Sequence, residues 1–230
     1  MEVVYRWNQG DVSSDDMRKN LVPPRESQVE PFLEMIEKVW VDTYTAEVGQ
    51  QTLRSYIPKQ ILLVGSASYN DDGSTTEGTA EGGRQIVLYS VNDFNFTLEQ
   101  IQSYAHVMHH EFAHILHQNV EYDAEFEKIT PSYSSSWMQM NDETARTKGF
   151  ITAYASSSAD EDFAEMVSIM LTNSPEDWDN MIESAGNATA VEALRKKEAI
   201  VVAYMKNNWG VDMKDFQKEV VAAIEAAVRN

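Results

Sequence analysis

With 230 residues, 43% of them apolar, the chain can bury a substantial core within one domain, and its 18 basic against 37 acidic side chains give a net charge of −19. A surface that acidic repels nucleic acid and anionic lipid headgroups, which excludes both as partners. The absence of cysteine excludes disulfides, thiolate metal sites and cysteine nucleophiles, and no apolar run approaches the ~18 residues that span a bilayer.

Taken in chain order, residues 1–26 read as an extended arm with one strand near Val3–Trp7, and Met1–Val4 has neither the basic nor the apolar region of a signal peptide. Phe32, Met35, Ile36, Val39 and Trp40 recur at helical spacing and predict a helix from Val29 to Val48, with Pro31 in its first turn. Ile61–Val64 is a short apolar run between Pro58 and Gly65, a buried strand, and Asn70–Ser74 reads as a turn. A second strand is predicted over Arg84–Val91, at the cleft edge where an extended substrate can pair with it. Thr97 and Gln100 form a capping-box pattern that opens a helix over 97–119. The polar stretch from Glu121 to Phe150 reads as loop with short helices. Helix resumes over 160–173, and 176–230 is helical, with Asn208-Trp209-Gly210 as a break. Few strands, early, followed by helices make the chain α+β, organised as a single domain over 1–230.

His110-Glu111-Phe112-Ala113-His114 is an H-E-x-x-H sequence inside the capped helix. Four residues is about one turn, so both imidazoles project from one face, about 6 Å apart along the axis. Two neutral imidazoles so placed can share one tetrahedral Zn2+. Glu111 is rotated by roughly 100° from His110 and reaches the water on the metal rather than the metal, as a general base. A catalytic zinc needs a third protein ligand and an open position. The His-x-x-Gly-x-x-His continuation of metzincins is absent, because Ile115-Leu116-His117-Gln118-Asn119-Val120 follows His114. Glu161 and Glu165, one turn apart on the later helix, are the candidates, and spacing alone does not choose between them.

The stretch from Phe150 through Tyr154 to Glu161-Asp162-Phe163-Ala164-Glu165-Met166 resembles the corresponding part of the anthrax lethal factor catalytic domain, where a Tyr precedes an acidic zinc ligand by seven residues and Phe-Ala-Glu follows. That resemblance implies Glu161 as the third ligand, which makes the site a gluzincin. It also implies Tyr154 as the donor to the oxyanion and Glu165 as an acceptor orienting a ligand histidine. The segments Tyr5-Arg6-Trp7, Val22-Pro23-Pro24, Lys38-Val39-Trp40, Ile61–Gly65, Gly78–Gly83, His110–His117 and Glu161–Met166 resemble, over nearly the whole chain, a Bacteroidetes family of zinc-binding metallopeptidases. Its members are also described as substrate import-associated zinc metallohydrolase lipoproteins. The resemblance implies a zincin-like fold, a peptide or glycoprotein substrate and a bacterial cell-envelope address. It also implies association with outer-membrane uptake systems, with membrane contact through a lipid anchor whose cysteine this sequence lacks.

His106 and His117 share the face of the two motif histidines and are assigned to solvent or to contacts behind the ligands, while His109 lies off that face and is packed or at the surface. Tyr133, Ser134–Ser136 and Trp137 either line a pocket or cap the core. The chemistry expected is hydrolysis of an amide bond. The alternative from another class is an accessory protein of an uptake system that binds without catalysis.

Overall fold

The computed structural model describes residues 1–8, 19–70, 75–81 and 84–229. The predicted turn at Asn70–Ser74 therefore falls almost wholly outside the described residues. β1 (Glu2–Val4) is followed by α1 (Glu26–Ile36), which passes through a π-helical segment at Glu37–Asp42 into α2 (Thr43–Val48). Gly49, at φ 78°, ends this run in a backbone conformation that a side chain would strain, and α3 (Gln50–Tyr56) follows. Then come β2 (Gln60–Leu63), β3 (Ser68–Tyr69), β4 (Thr75–Thr76), β5 (Gly78–Glu81) and β6 (Gln85–Leu88). The rest is helical: α4 (Leu98–Asn119), α5 (Glu125–Ile129), α6 (Asp142–Arg146), α7 (Ala159–Thr172), α8 (Pro175–Glu183), α9 (Ala188–Tyr204) and α10 (Met213–Ala227). The α+β class holds.

The main sheet has the order β1-β2-β6-β5, with β1, β2 and β6 parallel and β5 antiparallel to β6. Alternation along the strands divides the core. Ile61, Leu63, Ile86 and Leu88 face the large helical core, while Leu62, Val64, Val87 and Tyr89 face a smaller cluster with Trp7 and Leu21. Trp7 and Leu21 thus pack on the second face of the sheet, and Trp7 Nε1 donates to the Leu63 carbonyl at 2.8 Å.

Three expectations are corrected. The first strand is Glu2–Val4, short of Trp7, because its pairing with β2 ends at Leu62. Pro31 lies inside a helix that begins five residues earlier, at Glu26. Its missing N–H deprives the Ser27 carbonyl of a helical partner, a cost the buried Phe32, Met35 and Ile36 offset by packing. The cleft-edge strand is β5, not the Arg84–Val91 segment: β6 lies between β2 and β5, whereas β5 is an edge strand and its Gly78 and Thr79 line the cleft. Gly78 lets β5 lie against α4, where a Cβ would overlap Val107.

The two helices that matter most pack along one another. α4 buries Ile101, Tyr104, Ala105, Met108 and Phe112, and α7 buries Phe163, Ala164, Met166, Val167 and Met170, all in one cluster. Burial of the larger of these side chains contributes on the order of 1.5–3 kcal/mol each, which fixes the relative height and rotation of the two helices. Gln102 Nε2 donates to the Thr172 carbonyl at 2.8 Å, and Tyr104 Oη donates to the Tyr89 carbonyl at 2.6 Å. Among the described residues no helix is long and apolar enough to cross a membrane.

Candidate metal centre

Each helix of the site starts at a defined cap. Thr97 Oγ1 accepts from the Gln100 N–H at the start of α4, and Ser158 Oγ accepts from the Glu161 N–H at the start of α7, each at 3.3 Å. The second cap pins the first turn of α7, where Asp160, Glu161 and Asp162 sit in the favourable field of the helix N-terminus.

Across the two helices three donor atoms converge. His110 Nε2 is 3.0 Å from Glu161 Oε2, His114 Nε2 is 3.1 Å from the same oxygen, and the two Nε2 atoms are 3.1 Å apart. A tetrahedral zinc with ligands at about 2.0–2.1 Å holds its donors about 3.3 Å from one another, so the donor set and spacing fit that ion. A second group that could hold a metal, His106, His110 and Glu165, shares His110 through its other nitrogen. There Glu165 is fully engaged: Oε1 lies 2.8 Å from both His106 Nε2 and His110 Nδ1, and Oε2 accepts from Thr152 Oγ1 at 2.6 Å. The first group opens to solvent, with His114 and Glu161 only half-buried, whereas Glu165 is buried.

The electrostatics match this division. Burial alone would raise both glutamates. Hydrogen bonds from His110 and His114 outweigh it for Glu161, and the His106 charge with hydrogen bonds from His106 and His110 outweighs it for Glu165, so both stay well below the carboxylate range. Burial opposes the His110 imidazolium, yet its bonds to the two glutamates hold its pKa up at about 10 in the metal-free protein. Burial pushes Glu111 up, the direction a general base needs. Tyr154 is 37% exposed and stacks on His110, ring centroids 5.8 Å apart. Its phenol is kept protonated by burial, by the Glu161 charge and by a hydrogen bond to that residue.

These groups line one cleft of about 1210 Å³, bounded on one side by β4 and β5 and on the other by Trp137, Met138 and Met140. Trp137 meets the Tyr154 ring edge-on at 4.9 Å and belongs to the cleft, whereas Tyr133 turns inward and donates to Asp162 Oδ2 at 3.0 Å. His109 is fully buried, held neutral by burial at a pKa of about 3, with Nε2 3.2 Å from the Val39 carbonyl.

Residues 1–214 match the family described as "Putative zinc-binding metallo-peptidase". The chain belongs to this family. It is also similar to a protein of known crystal structure, described as a "putative zinc-binding metallo-peptidase" from Bacteroides caccae. The TM-score is 0.83 at 33% identity, over 99% of this chain and 87% of that one. No curated protein matches.

The sequence reading missed Thr152, which supports Glu165, and the cap Ser158, whose Ser-x-x-Glu pattern with Glu161 was there to be read. It also missed the buried pair behind Glu161: Lys197 Nζ lies 2.5 Å from Asp162 Oδ2, both side chains wholly inaccessible, and Nζ donates to the Gly149 carbonyl at 2.8 Å. No local signal pairs residues 35 apart in sequence.

Proposed function

We propose that the protein is a zinc-dependent peptidase in which His110, His114 and Glu161 hold one zinc ion, Glu111 is the general base and Tyr154 steadies the oxyanion. The observation that carries this reading is the mutual approach of His110 Nε2, His114 Nε2 and Glu161 Oε2 to within 3.1 Å, with Glu111 and Tyr154 lining the same open cleft. When bound, zinc supplies Lewis acidity, lowering the pKa of a water and polarising a carbonyl. Glu111 takes the proton of the attacking water and returns it to the leaving amine. The Tyr154 hydroxyl donates to the carbonyl oxygen as negative charge grows there. An extended peptide adds to the free side of β5, which presents main-chain donors and acceptors to it. By its family resemblance the chain works in the bacterial cell envelope, on peptides or glycoproteins brought to an uptake system.

The test is cleavage of a complex peptide mixture by the zinc-loaded protein, read by mass spectrometry against Glu111→Gln. Cuts made only by the wild type, with sequence preference around them, are the expected result. Identical fragments from both proteins, or none from a protein with zinc confirmed bound, would overturn the peptidase reading and favour a binding role.

A further inference from the structure

We infer that His117 is the positioning residue for His114, acting as an uncharged hydrogen-bond acceptor, so that the two ligand histidines are backed by groups of different charge. The inference rests on the metal centre proposed above and concerns which residue supports it. His114 Nδ1 lies 2.9 Å from His117 Nε2, whereas His110 Nδ1 lies 2.8 Å from the carboxylate of Glu165. An imidazole that offers Nε2 to a metal carries its proton on Nδ1. The His114 Nδ1–H then donates, and His117 must present a bare Nε2 to receive it. That fixes His117 as the neutral tautomer protonated on Nδ1.

The surroundings hold His117 in place for this role. It is 8% exposed, its ring meeting Tyr122 at 5.5 Å and Phe163 at 6.0 Å. Tyr122 lies flat on Phe163, centroids 4.4 Å apart, and its hydroxyl donates to Asp160 Oδ1 at 2.7 Å, next to Glu161. The aromatic pair therefore ties the imidazole acceptor to the first turn of α7. Behind His110 stands the Glu165 carboxylate, and behind His114 a neutral imidazole that adds no further anion to the cleft.

Two measurements test this. In the zinc-loaded protein, long-range proton–nitrogen correlation spectra of the histidine side chains should show His114 and His117 both protonated on Nδ1. A His117 protonated on Nε2 overturns the proposal without any variant. Zinc affinity, read by competition with a chelator, should fall about 10–100-fold in His117→Ala, and His117→Gln, whose amide oxygen can accept, should recover part of it. A folded His117→Ala protein with wild-type affinity overturns the proposal as well. His114→Ala serves as the separate control. If it too keeps wild-type affinity, the metal centre itself is misplaced, whereas loss in His114→Ala with none in His117→Ala counts against His117 alone.

Discussion

Glu161 and Glu165 stand one turn apart on α7 and address opposite nitrogens of one imidazole: Glu161 Oε2 is 3.0 Å from His110 Nε2, and Glu165 Oε1 is 2.8 Å from His110 Nδ1. The shared residue divides their work. Glu161 faces the open cleft beside His114, and Glu165 is enclosed with His106 and Thr152. On the proposed reading the first binds metal and the second orients the histidine that does. Glu161→Ala should therefore abolish tight zinc binding, and Glu165→Gln should weaken it by about 10–100-fold, as loss of an orienting partner does. Metal content after dialysis against a chelator distinguishes them. A larger loss in Glu165→Gln than in Glu161→Ala would argue that the ion sits among His106, His110 and Glu165 instead.

Tyr154 reaches the cleft with its hydroxyl while its ring packs between His110 and Trp137. Tyr154→Phe keeps the ring and removes the donor. Zinc binding should be unchanged, while kcat falls about 100- to 1000-fold with little effect on KM, the signature of an interaction made mainly in the transition state. A Tyr154→Phe enzyme with full kcat would remove the hydroxyl from the reaction.

Without metal, the cluster holds a proton. His110 has a folded-state pKa of about 10, above its ordinary 6.5. It therefore stabilises the metal-free fold fully below about pH 6.5, and that contribution is lost as pH rises through about 10. Zinc has to expel this proton, so apparent affinity should rise about tenfold per pH unit across that window. Chelator competition at several pH values, corrected for the chelator's own protonation, gives the slope. A flat profile would mean that the cluster is already deprotonated when zinc arrives.

Lys197 and Asp162 are both wholly buried, and Asp162 stays within reach of ionisation only because Lys197 and Tyr133 oppose the effect of burial. Lys197→Met leaves the carboxylate unpaired and should cost about 3–5 kcal/mol of stability at neutral pH. Adding Asp162→Asn removes the charge and should restore part of it, as measured by chemical denaturation. If the single variant were as stable as the wild type, the pair would not be what holds α7 to α9 behind Glu161.

β5 is the edge strand of the sheet on the cleft side, and Gly78 lets it sit against Val107 of α4. Gly78→Val should force the strand away from the helix and raise KM for peptides by about tenfold or more, with zinc content unchanged, since the proposed pairing with substrate runs along that edge. An unchanged KM would place the peptide elsewhere in the cleft.

The sequence by itself determined what depends on near neighbours. The capped helix over 97–119 and the pairing of His110 with His114 follow from hydrogen bonds and side-chain directions that repeat within four residues. The strand at Ile61–Val64 and the helix over 160–173 were readable for the same reason, to within a residue or two at their ends. Spacing left Glu161 and Glu165 equal, because both lie on one face and only the height and rotation of α7 against α4 bring one oxygen to Nε2 and the other to Nδ1. The identity of the edge strand, the Asp162–Lys197 pair and the contact of Trp137 with Tyr154 were likewise decided only by the tertiary structure. Each joins segments distant in the chain, and such contacts are set by how buried faces pack rather than by any local preference.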